Sequence, residues 1–401
     1  MKRLKEKKEL AGAAFLLEKT GVSDILYLIE RALLSRNPLR KEKTVSLFQP
    51  KEEKKVEYLE LVYDLIFVYI IGRNNSILHN IENGFVSLPA FSVYLLCSLA
   101  IIQIWCFSTF YTNMYGRNSI RDHIFMFVNM YLLYYIGEGT RIHWEHYQIQ
   151  YHIAWALILI NVAIQYFIEY HDKKNDPTEK KMIKGFLITL LGEAVIILIA
   201  IPVFSFTGIQ LAGAAIFFGI GAAGLISKKR TGDRIDFMHL SERAMLFVVF
   251  TFGEMIITIA SYFEGGFTFS SVYFSGMCFL IVVGLFLCYE HLYNRIIDRD
   301  MKTTGLGYML IHLVLIFALN NITTSLAFMR DEAVSLMPKT ILLVISFLLL
   351  FGCLLALLLY AKPEMKQRCL LLVSVISCSL IFAGLMFLLA GQMRANILVS
   401  V

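Results

Sequence analysis

Eleven apolar runs, each about as long as a bilayer is thick, constrain this chain more than any other feature. They lie at 58–79, 86–111, 123–140, 151–170, 183–203, 208–227, 244–263, 270–290, 305–329, 340–361 and 369–391. On the order of 20 helical residues cross a hydrocarbon core. Inside it each backbone amide must be paired, and a helix does this within its own segment. Of 401 residues, 57% are hydrophobic and 17% charged, against roughly 25% charged in soluble domains. The reading is an all-α, polytopic helical integral membrane protein with about eleven crossings.

The basic residues orient it. Lys and Arg number 14 before residue 58, and 2, 5, 5, 3 and 3 in the connections after runs two, four, six, eight and ten, counting Lys184 at the mouth of run five. The connections after the odd runs hold 0, 1, 0, 0 and 2, and only Arg394 follows the last. Positive charge stays inside, so the N-terminus is cytoplasmic and the C-terminus outside. The formal net charge of +6 is thus explained by topology, and SKKRTGDR at 227–234 is one more inner loop. Nucleic acid is not expected as a partner.

Three parts are expected: a basic segment at 1–57, the membrane domain at 58–391 and a short tail at 392–401. In the first, Val22, Ile25, Leu26, Ile29 and Leu33 have the spacing of an amphipathic helix. With Arg31, Arg36, Arg40 and Lys41 around its end, it suits the headgroups of an anionic leaflet. A helix packed beneath the membrane domain is the alternative. LAGAAFLL imitates a signal peptide, but Glu6 and Glu9 interrupt the basic region and no small-residue cleavage site follows.

A carboxylate at a helix centre costs about 2.5–3.5 kcal/mol on insertion scales, so such groups face a protein interior or a cavity. This chain places Glu60, Asp64, Glu193 and Glu254 within its runs, and Glu138 and Glu290 nearer the ends. Glu60 and Asp64 share one side of a helix at i, i+4. Together they call for a cation or a proton. Arg243, at comparable depth in run seven, is the candidate partner, as an interhelical clamp or as the mouth of a proton or cation path toward Glu254. GFLITLLGEAVIILIA (185–200) aligns without gaps on LFVVFTFGEMIITIAS (246–261), which suggests a duplicated hairpin. The glycines before Glu193 and Glu254 would admit neighbouring helices. In run nine His312, Asn320, Asn321, Thr323 and Thr324 read as hydrogen bonds between helices, with a titrating His312 as the sharper alternative.

The seven cysteines all fall inside the runs, with no CxxC pair, so neither a disulfide framework nor a thiolate metal site is indicated. His143, Glu145, His146 and His152 could offer ligands to zinc, but His143 and His146 follow no zinc motif. A Gly-rich phosphate loop, a nucleophile elbow and HExxH are all missing, and no cofactor is expected.

Two motifs carry a resemblance. Glu60, Leu61, Asp64, Leu65, Phe67 and Val68 resemble the opening motif of the bacterial low-temperature-requirement A (LtrA) family of polytopic membrane proteins. Val62 and Tyr63 stand where that family has two phenylalanines. His239, Glu242 and Arg243 with Gly253 and Glu254 resemble its second signature. Trp105, Asn113 and His312 resemble further family positions. The likeness spans roughly 56–330. It implies a multi-pass protein of the bacterial cytoplasmic membrane and carries no settled chemistry.

The leading expectation is therefore transport of a small ion or solute through Glu60, Asp64, Glu193, His239, Glu242, Arg243, Glu254, His312, Asn320 and Asn321, with acids from several helices around one wet pocket. A sensor or scaffold without transport is the alternative. An enzyme acting on lipid-linked substrates is the less favoured one, since the acids have no nucleophile or metal beside them. The chain is compatible with a homo-oligomer.

Overall fold

A computed structural model describes residues 54–401, apart from 140–143, 173–176, 228–234, 264–265, 330, 332 and 364–367. The amphipathic segment expected near 22–33 and His143 lie outside the described residues, as does the side chain of His146. Among the described residues there are twelve α-helices. They are α1 (Tyr58–Asn74), α2 (Leu88–Tyr115), α3 (Ile120–Gly139), α4 (Trp144–His171), α5 (Pro177–Thr207) and α6 (Ala212–Ser227). The others are α7 (Phe237–Ala260), α8 (Phe269–His291), α9 (Leu306–Phe328), α10 (Leu336–Leu357), α11 (Arg368–Leu388) and α12 (Met393–Val399). The first eleven coincide with the eleven apolar runs. Eight of them (α1, α2, α4, α5, α7, α8, α9 and α10) are long and apolar enough to cross a membrane, while α6 and α11 are shorter apolar helices. The protein is all-α and polytopic.

Local chemistry sets the helix starts. Ser87 caps α2 by accepting the Ala90 amide, with Pro89 in the first turn, where its missing N–H costs nothing. Asp236 caps α7 by accepting the His239 amide. At the far end of α2 the Lys54 ammonium donates to the carbonyls of Thr112, Asn113 and Gly116, satisfying acceptors at the negative end of the helix dipole. Between α1 and α2 lies a hairpin, β1 (Ile81–Glu82) and β2 (Phe85–Val86). Its turn residues Asn83 and Gly84 both have positive φ, 53° and 81°, as the tight turn between twisted strands demands.

Helix α2 is the axis of the packing, in contact with α1, α4, α6, α7 and α9. Its residues from Ala100 to Tyr115 are all buried. Around it α1 packs on α3 and α7, α4 on α3 and α5, α5 on α6, and α9 on α7 and α10, with α11 on α10 at the periphery. The polarity runs opposite to that of a soluble bundle. On α5, Ile188, Leu191, Val195, Leu198 and Ile199 are exposed, whereas Thr189 and Glu193 are buried. Apolar side chains point outward, as a surface facing acyl chains requires, and these polar ones face other helices.

The tail at 392–401 is mostly helix: α12 packs on α8 and α11, and Asn396 Nδ2 donates to Thr340 Oγ1 of α10 at 2.9 Å.

Candidate functional site

Near the N-terminal ends of α1 and α7, which the charge count places inside, buried charges meet. Arg243 and Asp64 are both fully buried. Arg243 grips the carboxylate with two bonds, Nε to Oδ2 at 3.2 Å and Nη2 to Oδ1 at 2.7 Å. Such a fork is the strong form of the ion pair. Its Nη1 donates to Thr112 Oγ1 at 2.5 Å, and Trp105 Nε1 adds a third bond to Asp64, 2.8 Å from Oδ1. The Trp105 ring lies 4.4 Å from that of Phe247. Thus α1, α2 and α7 are joined at one point.

Glu60, one turn before Asp64, completes the cluster. Its Oε2 lies 3.2 Å from His239 Nε2 and 3.6 Å from Arg243 Nε. The His239 contact is close but not aligned as a hydrogen bond. The ring's tautomer follows from its neighbours. Asn113 Oδ1 accepts the Asp236 amide at 3.1 Å and Asn113 Nδ2 donates to the Asp236 carbonyl at 2.8 Å, which fixes the side-chain amide. The same Nδ2 lies 3.0 Å from His239 Nδ1. That nitrogen must accept, so the ring proton sits on Nε2, facing Glu60. Lys54 lies outside the spans, and burial draws its ammonium below the usual lysine range, with the nearby Glu60 opposing. Two acids are thereby matched by two bases. The cation that the acid pair requires is Arg243.

Glu254 lies at the other end of the same two helices. Its carboxylate sits on Gly72 of α1: a Cβ there would come 2.3 Å from Glu254 Oε1. Gly72 also lines a cavity of about 640 Å³ with Asn75, Ser76, Thr258, Tyr262, Thr324 and others. This vestibule opens where α1, α7 and α9 end, which the charge count places outside. Eight residues separate Asp64 from Gly72, about 12 Å of helix rise. Phe67, Ile71, Phe247 and Val248 fill that interval and are buried. The inner cluster is buried, and the vestibule's lining stops short of it.

The remaining predicted residues lie elsewhere. Glu193 is buried against Gln103 of α2, whose Nε2 is 3.3 Å from Glu193 Oε2. Glu242 is half-buried beside Arg243 in sequence but makes no part of the cluster. His312 Nδ1 donates to the Tyr308 carbonyl at 2.9 Å, and its Nε2 lies 2.9 Å from the Tyr289 hydroxyl, which ties α9 to α8. Asn320 donates to the Tyr94 hydroxyl at 2.8 Å and accepts from Asn75 at 2.9 Å. Asn321 accepts from Tyr94 at 3.2 Å. The single shared pocket expected from the sequence is therefore corrected to an inner ion cluster, an outer vestibule beside Glu254 and separate polar contacts. Gly253 is also corrected: it is exposed with open space around it, so it admits no neighbouring helix. Among the described residues no group of three His, Cys, Asp or Glu could hold a metal ion.

A family model, the bacterial low temperature requirement A protein (LtrA), matches residues 55–401. The chain belongs to the LtrA family. The match continues to the C-terminus, past residue 330 where the motif likeness ends. No curated protein and no solved structure matches. In this LtrA-family chain the two motifs meet in space: Glu60 and Asp64 from the first contact His239 and Arg243 from the second. Trp105 and Asn113, which also resemble family positions, bond Asp64 and His239. Sequence reasoning missed the parts played by Thr112, Gln103, Tyr94 and Gly72. Gln103 carried a usable signal, a lone amide in the middle of an apolar run. Gly72 carried none.

Proposed function

We propose that this LtrA-family protein moves a small cation or small polar solute across the membrane, with the outer vestibule as its entrance and the Arg243 cluster as its closed inner end. The observation that carries the reading is the cavity of about 640 Å³ reaching Gly72, on which the Glu254 carboxylate rests. Its lining is mixed, with Ser76, Thr258, Ser261, Thr324, Asn75 and Asp331 beside Gly72, Tyr262 and Ala327. An acid beside such a lining favours a cation. A passage through this region requires the buried layer of Phe67, Ile71 and Phe247 to part, so the reading includes a second conformation open to the inside.

The test is flux in vesicles holding the purified protein, with protons, sodium and potassium as the probes. Glu254→Gln abolishes the flux of whichever ion the wild type carries, and Glu290→Gln, on an exposed acid that accepts from Asn294, leaves it intact. Undiminished flux in Glu254→Gln removes Glu254 from the route.

A second reading has its own observation. The inner cluster is buried and Arg243 is forked onto Asp64, which suits a structural clamp in a scaffold or sensor. Absence of flux for all three ions in protein that melts normally favours that reading.

A further inference from the structure

Glu193 sits in a second polar enclosure that shares no residue with the cluster or the vestibule. It is fully buried in α5. Gln103 Nε2 from α2 is 3.3 Å from Glu193 Oε2 and 3.2 Å from the Ile216 carbonyl of α6. A carbonyl only accepts, so this contact fixes which end of the amide faces α6. Gly219 of α6 closes the enclosure: a Cβ there would stand 2.1 Å from Glu193 Oε2 and 2.2 Å from Gln103 Nε2.

The hydrogen-bond inventory does not balance for an ionised acid. Glu193 Oε1 and Gln103 Oε1 are both buried without a partner, and the Gln103 amide, whose other N–H goes to the Ile216 carbonyl, gives the acid a single donor. Among the described residues no charged group acts on Glu193 from α2, α4 or α6. A bare carboxylate in such a place is unsupported. One added proton removes the charge and supplies the donor that is missing.

We propose that Glu193 is a proton-binding site, which holds its proton in the enclosure formed with Gln103 of α2 and Gly219 of α6. The proposal does not rest on the transport reading, and its test requires no flux.

The test is infrared difference spectroscopy of the full-length protein in lipid at neutral pH, wild type minus Glu193→Gln. The expected result is a carboxylic-acid C=O band in the wild type, shifting slowly in D2O, absent in Glu193→Gln and retained in Glu254→Gln. Because Gln is the neutral isostere, Glu193→Gln folds and melts with the wild type. A difference spectrum holding only carboxylate bands overturns the proposal, and carboxylate bands that move with added sodium assign the site to a metal cation instead. A Glu193→Gln variant that fails to fold also counts against it, since a neutral amide then cannot replace the group.

Discussion

Arg243 shows what one fully buried charge demands. It has donors for Asp64 and Thr112 and stands beside Glu60, so little of its hydrogen-bonding capacity is wasted. Breaking such a pair from one side leaves an uncompensated charge and costs about 3–5 kcal/mol, whereas removing both partners is often close to neutral. Arg243→Met and Asp64→Asn should each lower the melting temperature in detergent, and the double variant should recover most of the loss. Additive losses would show that the pair is not the unit of stability. The sequence indicated this partnership, because Arg243 and the Glu60–Asp64 pair fall at equal depth in helices of the same direction. It could not show that Asp64, and not Glu60, receives the guanidinium fork, since both lie on the same face. Nor could it exclude Glu242, whose neighbour in the chain is Arg243 but whose direction is set by the helix.

Between helices, contact geometry decides what a glycine does. Gly72 leaves room for the Glu254 carboxylate, the movable end of a flexible side chain. Gly72→Ala should therefore change stability by less than about 1 kcal/mol while displacing the acid, and flux assays should show the loss. Gly305 is the contrasting case. It has φ +67°, and a Cβ there would meet Leu240 Cδ2 at 2.3 Å. Gly305→Ala should destabilise by about 1–2 kcal/mol from the left-handed backbone alone. Gly253, with open space around it, should accept alanine with a gain of about 0.5–1 kcal/mol; thermal melts of the three variants rank them. The Gly-Glu likeness between α5 and α7 suggested similar surroundings for the two acids. They differ because α6 closes over Glu193, whereas Gly72 of α1 supports Glu254. A helix's own sequence marks its polar face but not the neighbour that covers it.

Across the whole molecule, the runs and the family were legible because hydrocarbon imposes length and polarity rules that each segment obeys alone. The grouping of the buried acids was not, because the cost of an intramembrane carboxylate is the same whichever helix shields it. The central claim is an outer vestibule that ends short of a buried inner cluster. Two positions on α7 test it most directly. Thr258 lines the cavity, and Thr251, about two turns nearer Arg243, is buried with its hydroxyl on the Phe247 carbonyl. The measurement is labelling of Thr258→Cys and Thr251→Cys by a membrane-impermeant thiol reagent added outside, against the unsubstituted protein. The account predicts that Thr258→Cys is labelled and Thr251→Cys is not. Labelling at both positions, or at neither, would contradict it.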